Sequence, residues 1–399
     1  MIQEFSVENF RSIKEKQTIS FIPDISGTTD DNYLHEVKPG VKLLKLGIIY
    51  GSNASGKSNI LKAVEFFRNL MTRLPENRLS GIDGYVPFLL DDKSRNEHCR
   101  LRLAFWIDGE RYVHEAELDN DRIYSEILTF YGSQRPTVLY ERSYDAENDI
   151  SRVQFSTKAG IAKKGQAIIE GNTINNCSVM AAFGMSNVEE SRLNRVYAFY
   201  TGGMADLLQP GQPLSDYVKG QLQQDEDNSL KEFLLKMLRA SDFNIADFEP
   251  GDGEDRNEMS FRHTAEGHGY NLPESMESRG TLRYMGMSAV LYRLLSGENF
   301  ITIDEVETCI HYELLSYFLK VFLVNGTNGS QMLVTTHDVN LLDEDFIRRD
   351  AVWFVDKNDS GETSVKRLTE YGLHKTLSPY NAYKQGKLGK LPFTGNIYL

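Results

Sequence analysis

The segment LGIIYGSNASGKSNILKAVEFFR, residues 46–68, determines how the rest of the chain can fold. It begins with apolar residues that predict a buried strand, and it ends with the apolar periodicity of an amphipathic helix. Between them, Gly51, Gly56, Lys57 and Ser58 occupy the fixed positions of the pattern G-x-x-x-x-G-K-[ST]. The backbone N–H groups of such a loop, at a helix N-terminus, form a concave positive site for phosphate oxygens. The segment therefore predicts a phosphate-binding loop in preference to a chance strand–turn–helix corner.

The residue types in the loop suit this chemistry. Gly51 and Gly56 permit backbone angles and a close approach that a Cβ would obstruct. Lys57 can reach the β- and γ-phosphates of a nucleotide, and the Ser58 hydroxyl can bind Mg²⁺. We expect the whole loop to contact the nucleotide. The residues are Gly51, Ser52, Asn53, Ala54, Ser55, Gly56, Lys57, Ser58 and Asn59.

The composition is that of an ordinary globular protein: 40% of the 399 residues are hydrophobic and 25% are charged. The chain contains no apolar run of membrane-spanning length, and its first residues do not resemble an export signal. Three scattered cysteines, Cys99, Cys177 and Cys309, predict neither a disulfide framework nor a zinc site and suit a reducing cytoplasm. The net charge of −13 argues against a surface coated in positive charge for DNA, although a local basic groove stays possible. We therefore expect a cytoplasmic protein without membrane contacts.

Strands and helices alternate around the loop, which predicts an α/β fold of the P-loop NTPase type with a mixed, mostly parallel sheet. Residues 43–50 are expected to form one central strand and residues 23–40 a loop. Between residues 101 and 141, strand-like segments predict an added antiparallel β layer, with a hairpin turn at Asp108-Gly109. The predicted organisation is an N-terminal lobe at 1–160, a helical insertion at 161–242 and a C-terminal lobe at 243–399.

Two later apolar strands end in residues that suit phosphate hydrolysis. Residues 300–303 precede Asp304 and Glu305, and ligands of open α/β sheets bind at such strand ends. Asp304 suits a contact with Mg²⁺, and Glu305 suits a general base that polarises the attacking water. Residues 332–335 precede His337, whose neutral imidazole can hydrogen-bond the γ-phosphate or the water. Each feature alone also fits a solvated turn, but their position after a phosphate loop favours the functional interpretation.

A further motif, Glu277-Ser278-Arg279-Gly280-Thr281, precedes a predicted helix. By itself it indicates an N-cap followed by a glycine. Beside the other motifs, the serine and glycine could offer a hydroxyl and an N–H group to a phosphate across an interface.

These motifs together resemble those of ABC/SMC-type ATPase heads, over nearly the whole chain. The resemblance rests on the GxNxSGKS form of the phosphate loop, NFRS at 9–12, DE at 304–305 and TTH at 335–337. The ESxGT form of the signature, the short head and the segment YKQGKLGKLP at 383–392 look most like a narrower group. That group comprises bacterial AAA-type RloA-like and abortive-infection ATPases, relatives of the overcoming-lysogenization-defect and PARIS ATPases.

The resemblance implies ATP and Mg²⁺ as cofactors, and a homodimer in which two heads sandwich two nucleotides. Ser278 and Gly280 of one copy would then reach the ATP of the other, and His311 would fall in the D-loop region. The remaining implied roles are Arg11 near the nucleotide, Lys57 on the phosphates, Ser58 and Asp304 on Mg²⁺, Glu305 as catalytic base and His337 as switch histidine.

Two parts of the family pattern remain open. Gln134 and Gln154 are both candidates for the Q-loop glutamine, and nothing local selects either. The stretch of about 220 residues between Ser58 and Glu277 has no sustained heptads, so we expect no long coiled-coil arm.

The leading functional prediction is a cytoplasmic ATPase that closes as an ATP-bound dimer and controls a separately encoded effector, expected to be a nuclease, in phage defence. The defence role rests on the resemblance alone. The alternatives are a DNA-repair or recombination ATPase that clamps DNA directly, or a weakly hydrolysing ATP-dependent scaffold. A transport subunit is disfavoured by the β layer and by the lack of an LSGGQ signature. The basic residues that would serve DNA are Lys14, Lys16, Lys163, Lys164, Arg348, Arg349, Lys384, Lys387 and Lys390.

Overall fold

The computed structural model describes residues 1–24, 31–132, 135–188, 191–241, 243–250, 258–374 and 377–389. The strands are β1 (Ile2–Glu8), β2 (Gln17–Ser20), β3 (Leu34–Lys38), β4 (Val41–Leu44), β5 (Leu46–Tyr50), β6 (Cys99–Ile107), β7 (Glu110–Leu118), β8 (Ile123–Tyr131), β9 (Thr137–Asp145), β10 (Ile150–Phe155), β11 (Ile245–Pro250), β12 (Met259–Ala265), β13 (His268–Pro273), β14 (Phe300–Ile303), β15 (Gln331–Thr335), β16 (Val352–Lys357) and β17 (Thr363–Arg367). The α-helices are α1 (Lys57–Thr72), α2 (Lys163–Asn172), α3 (Val179–Gly184), α4 (Arg192–Ala198), α5 (Ser215–Leu222), α6 (Ser229–Ala240), α7 (Arg279–Ser296), α8 (Tyr312–Asn325) and α9 (Pro379–Lys384).

The strand before the phosphate loop, β5, lies in the middle of a five-stranded sheet with the order β14-β15-β5-β16-β17. The first four strands run parallel, and β17 pairs antiparallel with β16. Every residue of β5, β14 and β15 is buried, as expected for strands covered on both faces. The predicted α/β class with a mostly parallel sheet around the loop is confirmed. Because parallel strands end at one edge, the loops after β5, β14 and β15 lie side by side.

Helix α1 holds the loop against the rest of the molecule. It begins at Lys57, and its apolar stripe is buried. The ring of Phe67 packs against Phe5 of β1 and against His114 of β7. Burial of a side chain of this size contributes about 1.5–3 kcal/mol to stability. The stripe consists of Ile60, Leu61, Val64, Phe67 and Met71.

The prediction of one strand over residues 43–50 is wrong. β4 ends at Leu44 and β5 begins at Leu46, with Lys45 between them. The buried Lys45 ammonium donates to the carbonyls of Leu323 and Gly326, where the end of α8 leaves acceptors without intrahelical partners. β4 pairs with β3 in a separate ladder, so part of the predicted loop at 23–40 is a strand.

The predicted antiparallel layer is a seven-stranded sheet with the order β10-β9-β8-β7-β6-β1-β2. Its hairpin between β6 and β7 turns at Asp108 and Gly109, which both have positive φ, 50° and 75°. This confirms the predicted two-residue turn. The N-terminal strands β1 and β2 belong to this sheet and not to the parallel one.

Residues 163–241 contain α2 to α6, in agreement with the predicted helical character of that segment. A three-stranded antiparallel sheet, β11-β12-β13, precedes α7. The division into lobes at 1–160, 161–242 and 243–399 remains a proposal. Within the described residues, no helix combines the length and the apolarity that a membrane span requires.

Candidate nucleotide-binding site

A pocket of about 380 Å³ opens at the carboxyl edge of the parallel sheet. Residues 53–59 of the phosphate loop line it, together with Glu305, His337 and Lys357. Glu305 follows β14, His337 follows β15, and Lys357 ends β16. The fold thus brings together the predicted loop, base and switch histidine from three separate stretches of sequence. Lys357 is an additional cationic residue that the sequence patterns did not single out.

The loop conformation requires glycine at two positions. Gly56 has φ +109°, and a Cβ there would lie 2.2 Å from Thr363 Oγ1. A Cβ at Gly51 would lie 2.3 Å from the carbonyl oxygen of Val355. An alanine at either position would therefore force the loop away from strands β16 and β17.

A small polar network outside the predicted set holds the loop from behind. The hydroxyl of Thr363 lies 2.9 Å from the carbonyl oxygen of Ser55 and 2.7 Å from Ser12 Oγ. With one proton, it donates to the carbonyl and accepts from Ser12. The Asn59 side-chain amide in turn donates to Ser12 Oγ over 2.6 Å. Ser12 is part of the NFRS motif at 9–12, whereas no local sequence pattern indicates Thr363.

Arg11, predicted to lie near the nucleotide, has a left-handed backbone with φ 53°. Its N–H group donates to the carbonyl of Val86, and its guanidinium lies 5.5 Å from the centre of the Phe10 ring. The described lining of the pocket does not include Arg11, whereas its neighbour Ser12 accepts a hydrogen bond from the loop residue Asn59. The role of Arg11 stays a prediction.

The Lys57 ammonium folds back onto its own loop. It donates to the carbonyl oxygens of Gly51, at 3.0 Å, and Ser52, at 3.1 Å. Burial lowers the pKa of Lys57, while the negative charges of Asp304 and Glu305 act in the opposite direction. Among the described residues, the hydrogen-bond partners of this ammonium are carbonyl oxygens, which carry no net charge. Phosphate oxygens would bind it more strongly, because they are negatively charged.

The ends of β14 and β15 are cross-linked by Thr335. Its hydroxyl donates to Asp304 Oδ1 over 2.6 Å and accepts the Glu305 N–H over 2.8 Å. Asp304 is buried at 4% exposure, whereas the Glu305 side chain is 43% exposed. Glu305 has φ 47°, which is uncommon for a residue with a Cβ and is concentrated at functional sites. With this backbone conformation, the Glu305 carboxylate reaches the pocket. The carboxylate of the preceding residue, Asp304, is buried and is not part of the described lining.

The imidazole of His337 faces that carboxylate, with Nε2 3.9 Å from Glu305 Oε1. This separation is longer than a hydrogen bond and leaves room for a reacting group to approach both. Burial, and then the positive charge of Lys57, lower the pKa of His337 below its usual value. A lowered pKa favours the neutral form of the imidazole, which is the form that the predicted role of His337 uses.

The signature residues lie elsewhere on the same chain. Ser278 caps α7 by accepting the Thr281 N–H over 3.0 Å, so its N-cap interpretation is correct. A Cβ on Gly280 would lie 3.1 Å from the carbonyl oxygen of Cys309, in the segment that follows β14. The described lining of the phosphate pocket contains neither Ser278 nor Gly280. Their contact with the nucleotide of a second copy stays a prediction.

Of the Q-loop candidates, Gln154 lies on β10 at the edge of the seven-stranded sheet and outside the described lining of the pocket. Gln134 lies outside the described residues.

Two of the basic residues proposed for DNA form ion pairs within the chain. Arg348 pairs with the buried Asp350, and Lys14 lies 3.5 Å from Asp91. Lys390 is outside the described residues.

The predicted Mg²⁺ ligands fit the ion chemically, because the Ser58 hydroxyl and the Asp304 carboxylate are hard oxygen donors.

The protein is a P-loop NTPase. A glycine-bounded loop connects β5 to α1, and two further parallel strands place acidic and histidine side chains at the same edge of the sheet. The chain belongs to the family described as "AAA domain, putative AbiEii toxin, Type IV TA system", which matches residues 47–343.

Three solved structures are similar to the chain at low sequence identity. The SMC head domain from Thermotoga maritima is 15% identical with a TM-score of 0.44, over 92% of this chain and 98% of that one. An SmcHead bound to the C-winged helix domain of ScpA is 12% identical with a TM-score of 0.47, over 96% and 99%. An Smc head domain with an extended coiled coil, bound to the C-terminal domain of ScpA derived from Pyrococcus furiosus, is 12% identical with a TM-score of 0.40, over 96% and 98%. No curated protein matches the chain.

Proposed function

We propose that this chain binds ATP with Mg²⁺ in the phosphate pocket and hydrolyses it. The observation that carries the proposal is the meeting of three separate stretches, with Glu305 and His337 facing the phosphate loop in one pocket. A pocket that only bound nucleotide would not require a carboxylate and a neutral imidazole 3.9 Å apart beside Lys57.

Each residue has a distinct task in this proposal. Lys57 and the loop N–H groups stabilise phosphate charge, which is the dominant form of catalysis for phosphoryl transfer. Glu305 accepts a proton from the attacking water, and neutral His337 hydrogen-bonds the γ-phosphate or that water. Ser58 and Asp304 would hold Mg²⁺, which neutralises charge on the phosphates.

The active form in this proposal is a homodimer. The Ser278 side chain lies at an exposed helix start, and Gly280 lies next to it, outside the pocket of their own chain. In the dimer they reach the nucleotide bound by the other copy, and each of the two sites is completed by its partner. The helix N-terminus there suits a phosphate, because its N–H groups and dipole favour negative charge.

The biological role that we propose is defence against phage. The family description names a putative AbiEii toxin and a type IV toxin–antitoxin system. The motifs resemble, more narrowly, the RloA-like, PARIS and overcoming-lysogenization-defect ATPases. We place the chain among them as a cytoplasmic ATPase whose dimer controls a separately encoded effector, a nuclease. Co-purification with the product of the neighbouring gene, with and without ATP, tests this part separately from hydrolysis.

The decisive variant for the enzymatic part is Glu305→Gln, which keeps the shape of the side chain and removes its basicity. We expect kcat for ATP to fall by about 10²- to 10⁴-fold, the usual contribution of a general base. We expect the variant to keep ATP binding and to accumulate ATP-bound dimers, which light scattering detects by their mass. Glu313→Gln, an exposed carboxylate at the start of α8, is the matched control and retains wild-type activity. Unchanged ATPase activity of Glu305→Gln would remove Glu305 as the base.

A further inference from the structure

Residues 304–311, which we call the β14–α8 loop, consist of consecutive tight turns. The Thr308 N–H donates to the carbonyl of Glu305, and the Ile310 N–H donates to the carbonyl of Glu307, both over 2.9 Å. Positive φ angles at Glu305 and Cys309 accompany these turns. Glu307 therefore sits at the centre of a loop whose backbone is fixed on both sides.

The side chain of Glu307 leaves this loop and bonds the neighbouring one. Its Oε1 accepts the backbone N–H of His337 over 2.6 Å. Hydrogen bonds with an ionised acceptor are shorter and about twice as strong as neutral ones. Oε2 of the same carboxylate is buried and has no hydrogen-bond partner among the described residues. Burying a carboxylate oxygen without a hydrogen-bond partner costs free energy, so the environment of Glu307 differs from that of an ordinary surface glutamate.

Two links now join the ends of β14 and β15, and they run in opposite directions. From β15, the Thr335 side chain holds Asp304 and the Glu305 N–H. From the β14–α8 loop, the Glu307 side chain holds the His337 N–H. Together they fix the two groups, Glu305 and His337, that face each other across 3.9 Å.

We propose that Glu307 is a positioning residue: it accepts the backbone N–H of His337 and so sets where the imidazole stands relative to the phosphate pocket and to Glu305. This inference rests on the proposed ATP hydrolysis, to which it adds a residue outside the described lining of the phosphate pocket. The effect on catalysis follows from geometry, because a displacement of about 1 Å at a catalytic group can reduce a rate by about 10²-fold.

The test compares Glu307→Gln with Glu307→Ala. Glutamine keeps an oxygen acceptor at the same reach, whereas alanine removes it. We expect Glu307→Ala to lower kcat by about 10- to 100-fold and to leave the Kd for ATP within about twofold, because positioning affects the reaction more than the binding of the loop. We expect Glu307→Gln to stay within about threefold of wild-type kcat. Glu313→Ala serves as the control for loss of a nearby carboxylate.

Hydrogen exchange provides a readout that does not depend on hydrolysis. Exchange of the amide of His337 should accelerate in Glu307→Ala and not in Glu307→Gln, because the first variant alone leaves that N–H without its acceptor. If the wild type does not hydrolyse ATP, the proposed function fails, and the exchange measurement still decides whether Glu307 holds His337. Equal losses of kcat in both variants, or wild-type exchange in Glu307→Ala, would overturn the inference.

Discussion

Two groups of ionisable side chains in this molecule have opposite environments. At the phosphate pocket, Glu305 and His337 are 43% and 35% exposed and do not hydrogen-bond each other. On one face of the seven-stranded sheet lies a second group, which we call the buried cluster, and every member is fully buried. Its members are His114, Glu126, Tyr140, Arg142 and Tyr200.

The buried cluster is densely hydrogen-bonded. Tyr140 donates to Glu126 over 2.7 Å, and the His114 ring lies 3.2 Å from Glu126 and 2.9 Å from the Tyr200 hydroxyl. Arg142 donates to the carbonyls of residues 174, 175 and 177. Glu126 also accepts the N–H of Val179, so the cluster attaches residues 174–179 to the sheet.

Charged side chains have different roles in the buried cluster and in the phosphate pocket. In the buried cluster, most polar groups are hydrogen-bonded to one another or to the backbone of residues 174–179, although Arg142 Nε has no partner among the described residues. Removing one cluster member leaves others buried without a partner. In the pocket, the groups remain accessible to a ligand, and removing one changes the chemistry more than the fold. Substitutions in the cluster should therefore act on stability, and substitutions in the pocket should act on ATP turnover.

The largest effect is expected for Glu126→Ala. It removes the carboxylate that faces Arg142 and leaves the Val179 N–H without its acceptor. The Tyr140 hydroxyl loses one of its two partners and keeps the other, His114 Nε2, at 2.8 Å. Breaking a buried pair in this way costs about 3–5 kcal/mol in the free energy of unfolding. Urea denaturation followed by fluorescence measures it. Glu141→Ala, an exposed carboxylate on the neighbouring strand β9, is the matched control. A loss below about 1 kcal/mol would contradict the structural role of the cluster.

The pH dependence of stability gives a smaller effect at the same site. Burial alone would raise the pKa of Glu126, but the hydrogen bond and charge of His114, followed by the charge of Arg142, outweigh it and lower the pKa below 4.5. A carboxyl whose pKa is lower in the folded state contributes stability above its unfolded pKa, and it loses this contribution as the pH falls through the folded value. The wild-type free energy of unfolding should therefore decline below about pH 4.5, by up to about 1.4 kcal/mol per pH unit from this group.

Glu126→Gln should lack that contribution, so its stability should depend less steeply on pH in the same window. Urea titrations of both proteins at several acidic pH values compare the two slopes. Identical slopes would show that Glu126 does not have a lowered pKa in the folded state.

The two regions also differ in how far the sequence predicts them. The phosphate loop, Asp304, Glu305 and His337 lie within or directly after contiguous apolar runs, so their positions at one sheet edge follow from strand order alone. The buried cluster joins residues from β7, β8, β9 and the helical segment, and no local pattern indicates that these side chains meet. Thr363 and Ser12 are in contact although 351 residues separate them.

Errors in the strand predictions have a physical cause as well. Lys45 interrupts an apolar run, yet its charge is accommodated by carbonyls at the end of α8, which only the folded chain supplies. β3 lies in a polar, turn-rich stretch that contains few strand-forming residues, and its pairing with β4 determines its conformation. In both cases tertiary contacts override the local signal.

The smallest effect is expected for Thr363→Val, which tests whether support behind the loop matters to the pocket in front of it. Valine has nearly the same shape but cannot bond the Ser55 carbonyl or Ser12 Oγ. Losing such a buried hydrogen bond costs about 0.5–1.5 kcal/mol, so we expect ATP to bind about 2- to 10-fold more weakly with kcat changed less. Isothermal titration with ATP and steady-state kinetics separate the two, and Thr369→Val, an exposed threonine beyond β17, is the matched control. Wild-type affinity for ATP in Thr363→Val would mean that the phosphate loop keeps its shape without the Thr363 hydrogen bonds. Support from β17 would then not contribute to nucleotide binding.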